Sequence, residues 1–392
     1  MRKHVHCAAL LTAALLLSSR DAWAQEVPAV CLEAQNAIDA KAPPKAQAEL
    51  LTRCLGTPGL TPGLASIVLN SRGLAHYADK NPQSALADFE QAARLNPKYA
   101  EPYYNIGVAL DDGGQRDKAV AAYSQALAVE PVFPAALYRR CNAEYSAGRY
   151  SQAVEDCGKA LALAEGFTEA RLARGKAYSA LGSYDEALAD LDKVLAATPK
   201  NATALEWRAS VHFSLGQHAQ ALSDYDALLA QTPRNHTLYA NRAKCLLGLG
   251  EFDRAIADYG RALALKPNDA GALLGRGEAF QAAKQYGFAV QDYETVLRHD
   301  PKSFPAHLGK GMANFALQHF AQAVQDYTRA IAQNPKSAQA YLQRAYAYKE
   351  LGEEDKAVAD GTTAKRLDPS LDVPDFASFF PSVWGSITSV FD

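Results

Sequence analysis

The sequence predicts an all-α protein built as a solenoid of repeated helix-turn-helix hairpins. A proline recurs at intervals of 34 residues along most of the chain, an alanine recurs at the same interval, and a small residue stands 12 positions before that alanine. Within each interval, apolar residues follow the spacing that is typical of one face of an α-helix. Because one hairpin cannot bury its apolar face alone, the hairpins are expected to stack side by side.

The composition excludes several classes of protein. Of 392 residues, 48% are hydrophobic and 21% are charged, which is typical of a globular protein rather than of a disordered or membrane-embedded chain. The net charge is −3, so the chain lacks the basic excess that binding to a phosphate backbone requires. We therefore expect no nucleic-acid partner.

The first 24 residues have the features of a secretory signal peptide. Arg2 and Lys3 precede a short apolar run over residues 7–17, and Ala-Trp-Ala at residues 22–24 predicts cleavage before Gln25. That run is too short to cross a bilayer, and no later segment offers the roughly 18 apolar residues that a membrane span needs. We expect a periplasmic protein in an oxidising compartment, with secretion as the alternative.

Residues 25–65 are expected to form a capping hairpin and a linker. Pro43 and Pro44 divide the segment into two stretches with helical apolar spacing, and a Gly- and Pro-rich run over residues 56–63 ends it. Cys31 and Cys54 lie equally far from the turn at Ala42-Pro43, and so would face each other across an antiparallel hairpin. The spacing predicts a disulfide between them.

Nine repeats of 34 residues follow from Ser66 to Leu371 without insertion or deletion. With the recurring proline numbered as position 32, which only Glu165 replaces, position 20 is always Ala, position 8 is always Gly, Ala or Cys, and position 24 is aromatic in six repeats. The repeats are residues 66–99, 100–133, 134–167, 168–201, 202–235, 236–269, 270–303, 304–337 and 338–371.

Positions 15 and 18 predict the turn of each hairpin. Glycine at position 15 of six repeats can end the first helix in the left-handed conformation, and Asp or Ser at position 18 of five repeats can cap the second helix. The glycines are Gly114, Gly148, Gly182, Gly216, Gly250 and Gly352, and the predicted caps are Asp117, Ser151, Asp185, Asp253 and Asp355.

The pattern resembles the tetratricopeptide repeat, whose signature has a large residue at position 4, small residues at positions 8 and 20, an aromatic residue at position 24 and proline at position 32. The chain departs from it at position 4, which is Leu, Tyr, Arg or His rather than Trp, and at position 7, which is usually Arg rather than Leu. The resemblance implies a right-handed superhelical solenoid with an inner groove, lined mainly by positions 2, 5, 9, 12 and 13, that binds a protein or peptide.

Charged residues and cysteines pair across the predicted turn. Position 7 is Arg or Lys and position 23 is Asp in eight repeats, and the second repeat lacks both, with Ile106 and Ala122 in their place. Because residues equally far from the turn lie at one level of a hairpin, we predict a ladder of such pairs, closed either within a hairpin or between neighbours. The same rule predicts a disulfide between Cys141 and Cys157 and leaves Cys245 as a buried thiol.

An aromatic tail without Lys or Arg occupies residues 372–392. Its aromatic residues are expected to be buried, either against the last repeat or in a groove or partner; they are Phe376, Phe379, Phe380, Trp384 and Phe391. The second helix of the last repeat is expected to face solvent as a cap, because it carries polar or small residues where earlier repeats are apolar: Gly361, Thr362, Thr363 and Lys365.

No motif indicates catalysis, a cofactor or a metal site. The patterns HExxH, CxxC, GxSxG and GxxxxGK[ST] are absent, and the repeats leave no segment large enough for a catalytic domain. The histidines are scattered, and His76 and His212, which share position 11, lie four repeats apart. We therefore expect a protein that is not an enzyme.

The groove positions implied by the resemblance carry aromatic and aliphatic residues with few polar groups, which suits an extended or helical apolar peptide. The candidate partner-binding residues are Tyr104, Tyr138, Asn142, Tyr145, Lys176, Phe213, Phe315 and Tyr346. We expect a non-catalytic scaffold or adaptor in the periplasm. The alternative, indicated by the aromatic tail, is a structural self-assembly module of the cell envelope, and the sequence leaves the oligomeric state open.

Overall fold

The computed structural model describes residues 27–379, with only the backbone at Phe379. These residues form 20 α-helices and no β-strand, which confirms the predicted all-α solenoid of helical hairpins. The predicted signal peptide and the tail residues Phe380, Trp384 and Phe391 lie outside the described residues. Over residues 27–379, no helix combines the length and the apolar character that crossing a membrane requires.

The chain divides into two compact units, Met1–Pro199 and Lys200–Asp392. The described part of the first unit contains α1 (Ala29–Asp39), α2 (Pro44–Leu55), α3 (Pro62–Ala78), α4 (Pro82–Leu95), α5 (Ala100–Asp112), α6 (Arg116–Val129), α7 (Pro134–Ser146), α8 (Tyr150–Leu163), α9 (Thr168–Leu181) and α10 (Tyr184–Ala197).

The second unit contains α11 (Ala202–Ser214), α12 (His218–Gln231), α13 (His236–Gly248), α14 (Phe252–Leu265), α15 (Ala270–Ala282), α16 (Tyr286–His299), α17 (Phe304–Ala316), α18 (Phe320–Gln333), α19 (Ala338–Glu350) and α20 (Glu354–Leu367). A 3₁₀ turn, Phe376–Phe379, follows α20.

Small residues let the two helices of each hairpin approach closely. The nine alanines at position 20 are all 0% exposed. At position 8, glycine makes room for the aromatic ring at position 24 of the same repeat: a Cβ atom on Gly107 would lie 2.5 Å from Cε1 of Tyr123. The recurring small residues are therefore required by close packing between the helices.

Position 15 adopts the left-handed conformation in all nine repeats. The six glycines predicted there have φ between 70° and 78°, which confirms the predicted turn. The other three repeats place Lys80, Lys284 and Gln318 at this position, with φ of 61°, 59° and 63°. The turn geometry is thus kept even where the residue is poorly suited to it.

The predicted capping role of position 18 is wrong. The second helices begin at position 17, so that residues such as Asp117 and Asp185 lie inside the first turn, and the side chains that precede α6 and α10 form no cap hydrogen bond. Their carboxylates can still interact favourably with the helix dipole. Side-chain caps stand instead before several first helices: Asn201 Oδ1 accepts a hydrogen bond from the Ala204 N–H at 3.0 Å, and Asp269 Oδ1 accepts one from the Ala272 N–H at 3.0 Å.

The predicted charged pairs close within single hairpins. In the seven repeats with Arg at position 7, Nε and Nη2 donate to both oxygens of the position-23 aspartate over 2.6–3.0 Å. The pairs are Arg72–Asp88, Arg140–Asp156, Arg174–Asp190, Arg208–Asp224, Arg242–Asp258, Arg276–Asp292 and Arg344–Asp360.

The free end of the guanidinium also reaches the preceding repeat at several places. Nη1 of Arg140 donates to Ser124 Oγ at 2.9 Å, and Nη1 of Arg344 donates to Thr328 Oγ1 at 2.9 Å. Both acceptors stand at position 25 of the repeat before. One arginine therefore holds its own hairpin closed and ties it to its neighbour.

Both predicted cysteine pairs lie at disulfide-bond distance. The Sγ atoms are 1.97 Å apart in Cys31–Cys54, between α1 and α2, and 2.04 Å apart in Cys141–Cys157, between α7 and α8. Cys245 is a free, buried cysteine, and burial raises the pKa of its thiol to about 11. The linker after α2 is shorter than expected, because α3 begins at Pro62 with Thr61 as its cap.

The described part of the tail packs against the last hairpin. Phe376 is 2% exposed, and its ring contacts that of Tyr346 edge-on, with 5.3 Å between the centroids. It also covers Gly361, where a Cβ atom would lie 2.6 Å from the Phe376 ring. The expectation that this part of α20 faces solvent is therefore wrong at Gly361, whereas Thr362 and Lys365 are exposed.

Candidate functional site

The first helices of the repeats form the inner side of each unit. Those of neighbouring repeats contact one another along α3, α5, α7 and α9 in the first unit, and along α13, α15, α17 and α19 in the second. Among the described residues, no two second helices of neighbouring repeats come into comparable contact. The stack therefore curves within each unit so that the first helices lie on the concave side, and these helices carry all eight candidate partner-binding residues.

Tyr104 and Tyr138, at position 5, each contact a ring at position 34 of the same repeat. The ring centroids are 5.1 Å apart in Tyr104–Phe133 and 5.0 Å apart in Tyr138–Phe167. Both tyrosines are half-buried. The contacts hold the two rings in place while one side of each stays accessible.

The rings at position 12 are held in a similar way by a ring at position 17, the first residue of the second helix. Phe213 is still 38% exposed, and Tyr145 and Phe315 are half-buried. The pairs, with the distances between centroids, are Tyr145–Tyr150 at 5.4 Å, Phe213–His218 at 5.2 Å and Phe315–Phe320 at 5.3 Å. The partner rings at positions 17 and 34 were not predicted, although their aromatic character is visible in the sequence.

Asn142 and Lys176, the two polar candidates for partner binding that are not aromatic, both contact other residues of the protein. Asn142 Nδ2 donates to the Tyr138 carbonyl at 2.9 Å. Lys176 Nζ lies 4.8 Å from the centroid of the Tyr145 ring, a cation–π distance, and burial lowers the pKa of the lysine and raises that of the tyrosine. Tyr346, the last candidate, contacts Phe376 as described above. Four of the candidate residues thus contact one another in pairs: Tyr145 with Lys176, and Tyr138 with Asn142.

A cluster of hydrogen-bonded polar side chains on the inner side of the first unit was also not predicted. Asn105 Nδ2 donates to Asn70 Oδ1 at 2.9 Å, and Asn70 Nδ2 lies 3.4 Å from the Tyr99 hydroxyl. In the next repeat, burial alone would lower the pKa of Arg139, but the neighbouring hydroxyl of Tyr104 raises it. The sequence signal that could have revealed this cluster is Asn70 at position 5 of the first repeat, together with Asn105 and Arg139 at position 6 of the next two repeats.

The charges that could bind a metal ion are dispersed over the described residues. Between residues 27 and 379, no group of three or more His, Cys, Asp or Glu side chains is arranged to hold one. The aspartates of the ladder are each engaged by a cation of the same repeat.

Comparison with known proteins agrees with this architecture. Sequence profiles of the tetratricopeptide repeat match residues 66–99, 104–166, 172–236, 237–269 and 326–359, more than half of the chain. No curated protein matches the sequence.

Two solved structures share the fold. A tetratricopeptide repeat protein from Parabacteroides merdae is 20% identical, with a TM-score of 0.51 over 62% of this chain and 96% of its own. The C-terminal part of a repeat-containing protein from Cytophaga hutchinsonii is 20% identical, with a TM-score of 0.52 over 62% of this chain and 99% of its own. The chain therefore belongs to the tetratricopeptide repeat family.

Proposed function

We propose that the chain is a non-catalytic periplasmic scaffold that binds an extended or helical apolar segment of a partner protein along the inner side of its repeats. The observation that carries this proposal is the set of half-exposed rings at positions 5 and 12, each fixed by a second ring of the same repeat. Rings that are already immobilised lose little conformational entropy when a ligand covers them. These half-exposed rings are therefore suited to binding an apolar segment of a partner.

The second unit exposes further apolar surface on its first helices. Phe213 is 38% exposed and Met312 is 37% exposed. Methionine and aromatic side chains are enriched where proteins bind apolar segments of other proteins. The two disulfides support folding in an oxidising compartment, which agrees with export to the periplasm.

The alternative of a self-assembly module gains no support from the described part of the tail. Phe376, whose exposure would favour contacts between copies, is buried against α19 and α20 of its own chain.

Site-specific photo-crosslinking in the periplasmic fraction tests the proposal. A crosslinker at Phe213 or Met312 should capture the same partner, through an apolar segment that mass spectrometry identifies. A crosslinker at Gln325, exposed on the second helix α18, is the control and should not capture it. The proposal would be rejected if capture occurred from Gln325 and not from the inner side, or if Met312→Glu left the captured amount unchanged.

A further inference from the structure

A cavity of about 820 Å³ lies between the seventh and eighth repeats, on the side formed by their second helices α16 and α18. Helix α17 contributes His307 and Lys310 to it, and the second helices contribute Glu294, Arg298 and Arg329. His307 and Lys310 stand at positions 4 and 7 of their repeat, which are not groove positions, and the other three residues lie on second helices. The cavity is therefore a separate feature, and its role does not depend on the proposed function.

The cavity stands at the one repeat whose position-7 cation is a lysine. Lys310 cannot form the two-pronged contact of the arginines: its Nζ lies 3.8 Å from Asp326 Oδ1 and 3.1 Å from Glu294 Oε1. Asn314 Nδ2 donates to the other aspartate oxygen at 2.9 Å. An ammonium group fills less space than a planar guanidinium, so the lysine occupies less of the space beside Asp326 than an arginine would.

His307, one of the residues that line this cavity, has an unpartnered polar atom in its ring. Its side chain is 5% exposed, and Nε2 lies 3.0 Å from the carbonyl oxygen of Pro301. Because a carbonyl can only accept, Nε2 carries a proton, and Nδ1 of the neutral ring is an acceptor. Nδ1 is buried and has no hydrogen-bond partner among the described residues. Buried polar atoms are nearly always bonded, so this nitrogen indicates a missing donor.

The two arginines at the cavity, Arg298 and Arg329, use few of their N–H donors in contacts with the described residues. Among the described residues, Arg298 Nη2 donates only to Thr295 Oγ1, at 2.9 Å, and Arg329 Nη1 lies 4.0 Å from Asp326 Oδ1. With Lys310, they outnumber the single carboxylate of the lining, Glu294. Guanidinium groups bind carboxylates and phosphates in a two-pronged geometry, so the free arginines favour an anionic ligand.

We propose that this cavity binds a small oxyanion that also carries hydroxyl groups, such as a sugar phosphate or a sugar acid. Arg298 and Arg329 bind its anionic group, and one of its hydroxyl groups donates to His307 Nδ1. The volume falls within the roughly 300–1,000 Å³ that is usual for small-molecule sites. Glu294 and Gln333 offer further acceptors and donors for hydroxyl groups at the rim.

Isothermal titration calorimetry on the full chain at low ionic strength tests the proposal. Glucose 6-phosphate and glucuronate are the two anionic probes, and glucose is the uncharged probe. We expect at least one anion to bind and glucose not to bind. Binding of glucose 6-phosphate would identify a sugar phosphate as the ligand class, and binding of glucuronate would identify a sugar acid. The double variant R298Q/R329Q should weaken binding at least tenfold, since both side chains are exposed and their loss leaves the fold intact.

A second variant tests the role of the lysine. Lys310→Arg restores the residue of the other repeats, so it should form the two-pronged contact with Asp326 and raise the melting temperature. The control R94Q/R254Q removes two arginines, 68% and 59% exposed, that lie outside the cavity, and should bind as the unaltered chain does. The proposal is overturned if neither anion binds, or if R298Q/R329Q binds as tightly as the unaltered chain.

Discussion

At the scale of single residues, the turn at position 15 departs most from what its side chains favour. Six repeats place glycine there, whereas Gln318 adopts φ of 63° in the same turn. A left-handed conformation costs a residue with a Cβ atom about 1–2 kcal/mol. These positions are therefore sites of local strain that the packing of the hairpin maintains.

Gln318→Gly is accordingly expected to raise the free energy of unfolding by about 1 kcal/mol. Gln325→Gly, at an exposed position inside α18, is the matched control and should lower it by about 1 kcal/mol. Urea denaturation followed by circular dichroism measures both. A loss of stability in Gln318→Gly similar to that of the control would show that the turn stores no strain.

Asp326 differs from the other aspartates of the ladder because its position-7 partner is Lys310, and the guanidinium of Arg329 lies 4.0 Å away. Burial raises its pKa above the ordinary value, and Lys310 and Asn314 offset this effect only in part. A carboxyl group whose pKa is higher in the folded protein than in the unfolded chain destabilises the fold when it is ionised. That penalty is present at neutral pH and is lost as the pH falls through the raised pKa.

Asp326→Asn should therefore raise the free energy of unfolding at pH 7 by about 1 kcal/mol, and the gain should shrink as the pH is lowered toward 4. Asp292→Asn is the control: it leaves the half-buried Arg276 without its carboxylate and should lower stability by about 2 kcal/mol at pH 7. Denaturation curves at several pH values compare the two variants. Equal losses at pH 7 would contradict the assignment.

At the scale of helices, the 34-residue period predicted the hairpins well because proline, alanine and glycine act through local geometry. Gly114 and Gly148, for example, stand at turns where the backbone adopts positive φ. The cap at Asp117 was mispredicted because the helix starts at Arg116, two residues before the start that a cap at Asp117 implies. A periodic pattern fixes the spacing of helices more reliably than their first residue.

The groove was predictable only in part for a related reason. The resemblance identified the positions of Tyr104 and Tyr138, but their partner rings stand at position 34, which is Asn, Asp or Ser in five of the other repeats. Contacts between two variable positions leave no periodic signal. The cavity at Lys310 was equally hidden, because its lining combines side chains of two neighbouring repeats.

Within residues 27–379, no further hairpin follows α20, and Phe376 covers part of this helix. Phe376→Ala should lower the stability of this hairpin by about 3 kcal/mol, since a buried phenylalanine is replaced by a cavity. Hydrogen exchange of the amides in α19 and α20 measures the effect, and Asp372→Ala, at an exposed position, is the control. Unchanged protection in Phe376→Ala would mean that the ring does not stabilise the array.

At the scale of the whole molecule, stability is distributed by repeat. In a solenoid, each repeat contacts mainly its neighbours, so that a local change propagates over a short distance. Both disulfides lie in the unit Met1–Pro199, and the only cysteine of the second unit is the buried free thiol of Cys245. Covalent stabilisation is thus confined to one of the two units.

Reduction should therefore separate the two units in a thermal denaturation experiment. Each disulfide closes a loop, with sequence separations of 23 and 16 residues, and is expected to contribute about 3 kcal/mol by restricting the unfolded chain. In differential scanning calorimetry with a reducing agent, the transition of the first unit should move to lower temperature, while hydrogen exchange within α13 to α18 stays unchanged. The double variant Cys141→Ala/Cys157→Ala, which removes one bond, should produce a smaller shift of the same transition. Equal destabilisation of both units on reduction would show that the solenoid unfolds as a single cooperative body, and that local reasoning about its repeats fails.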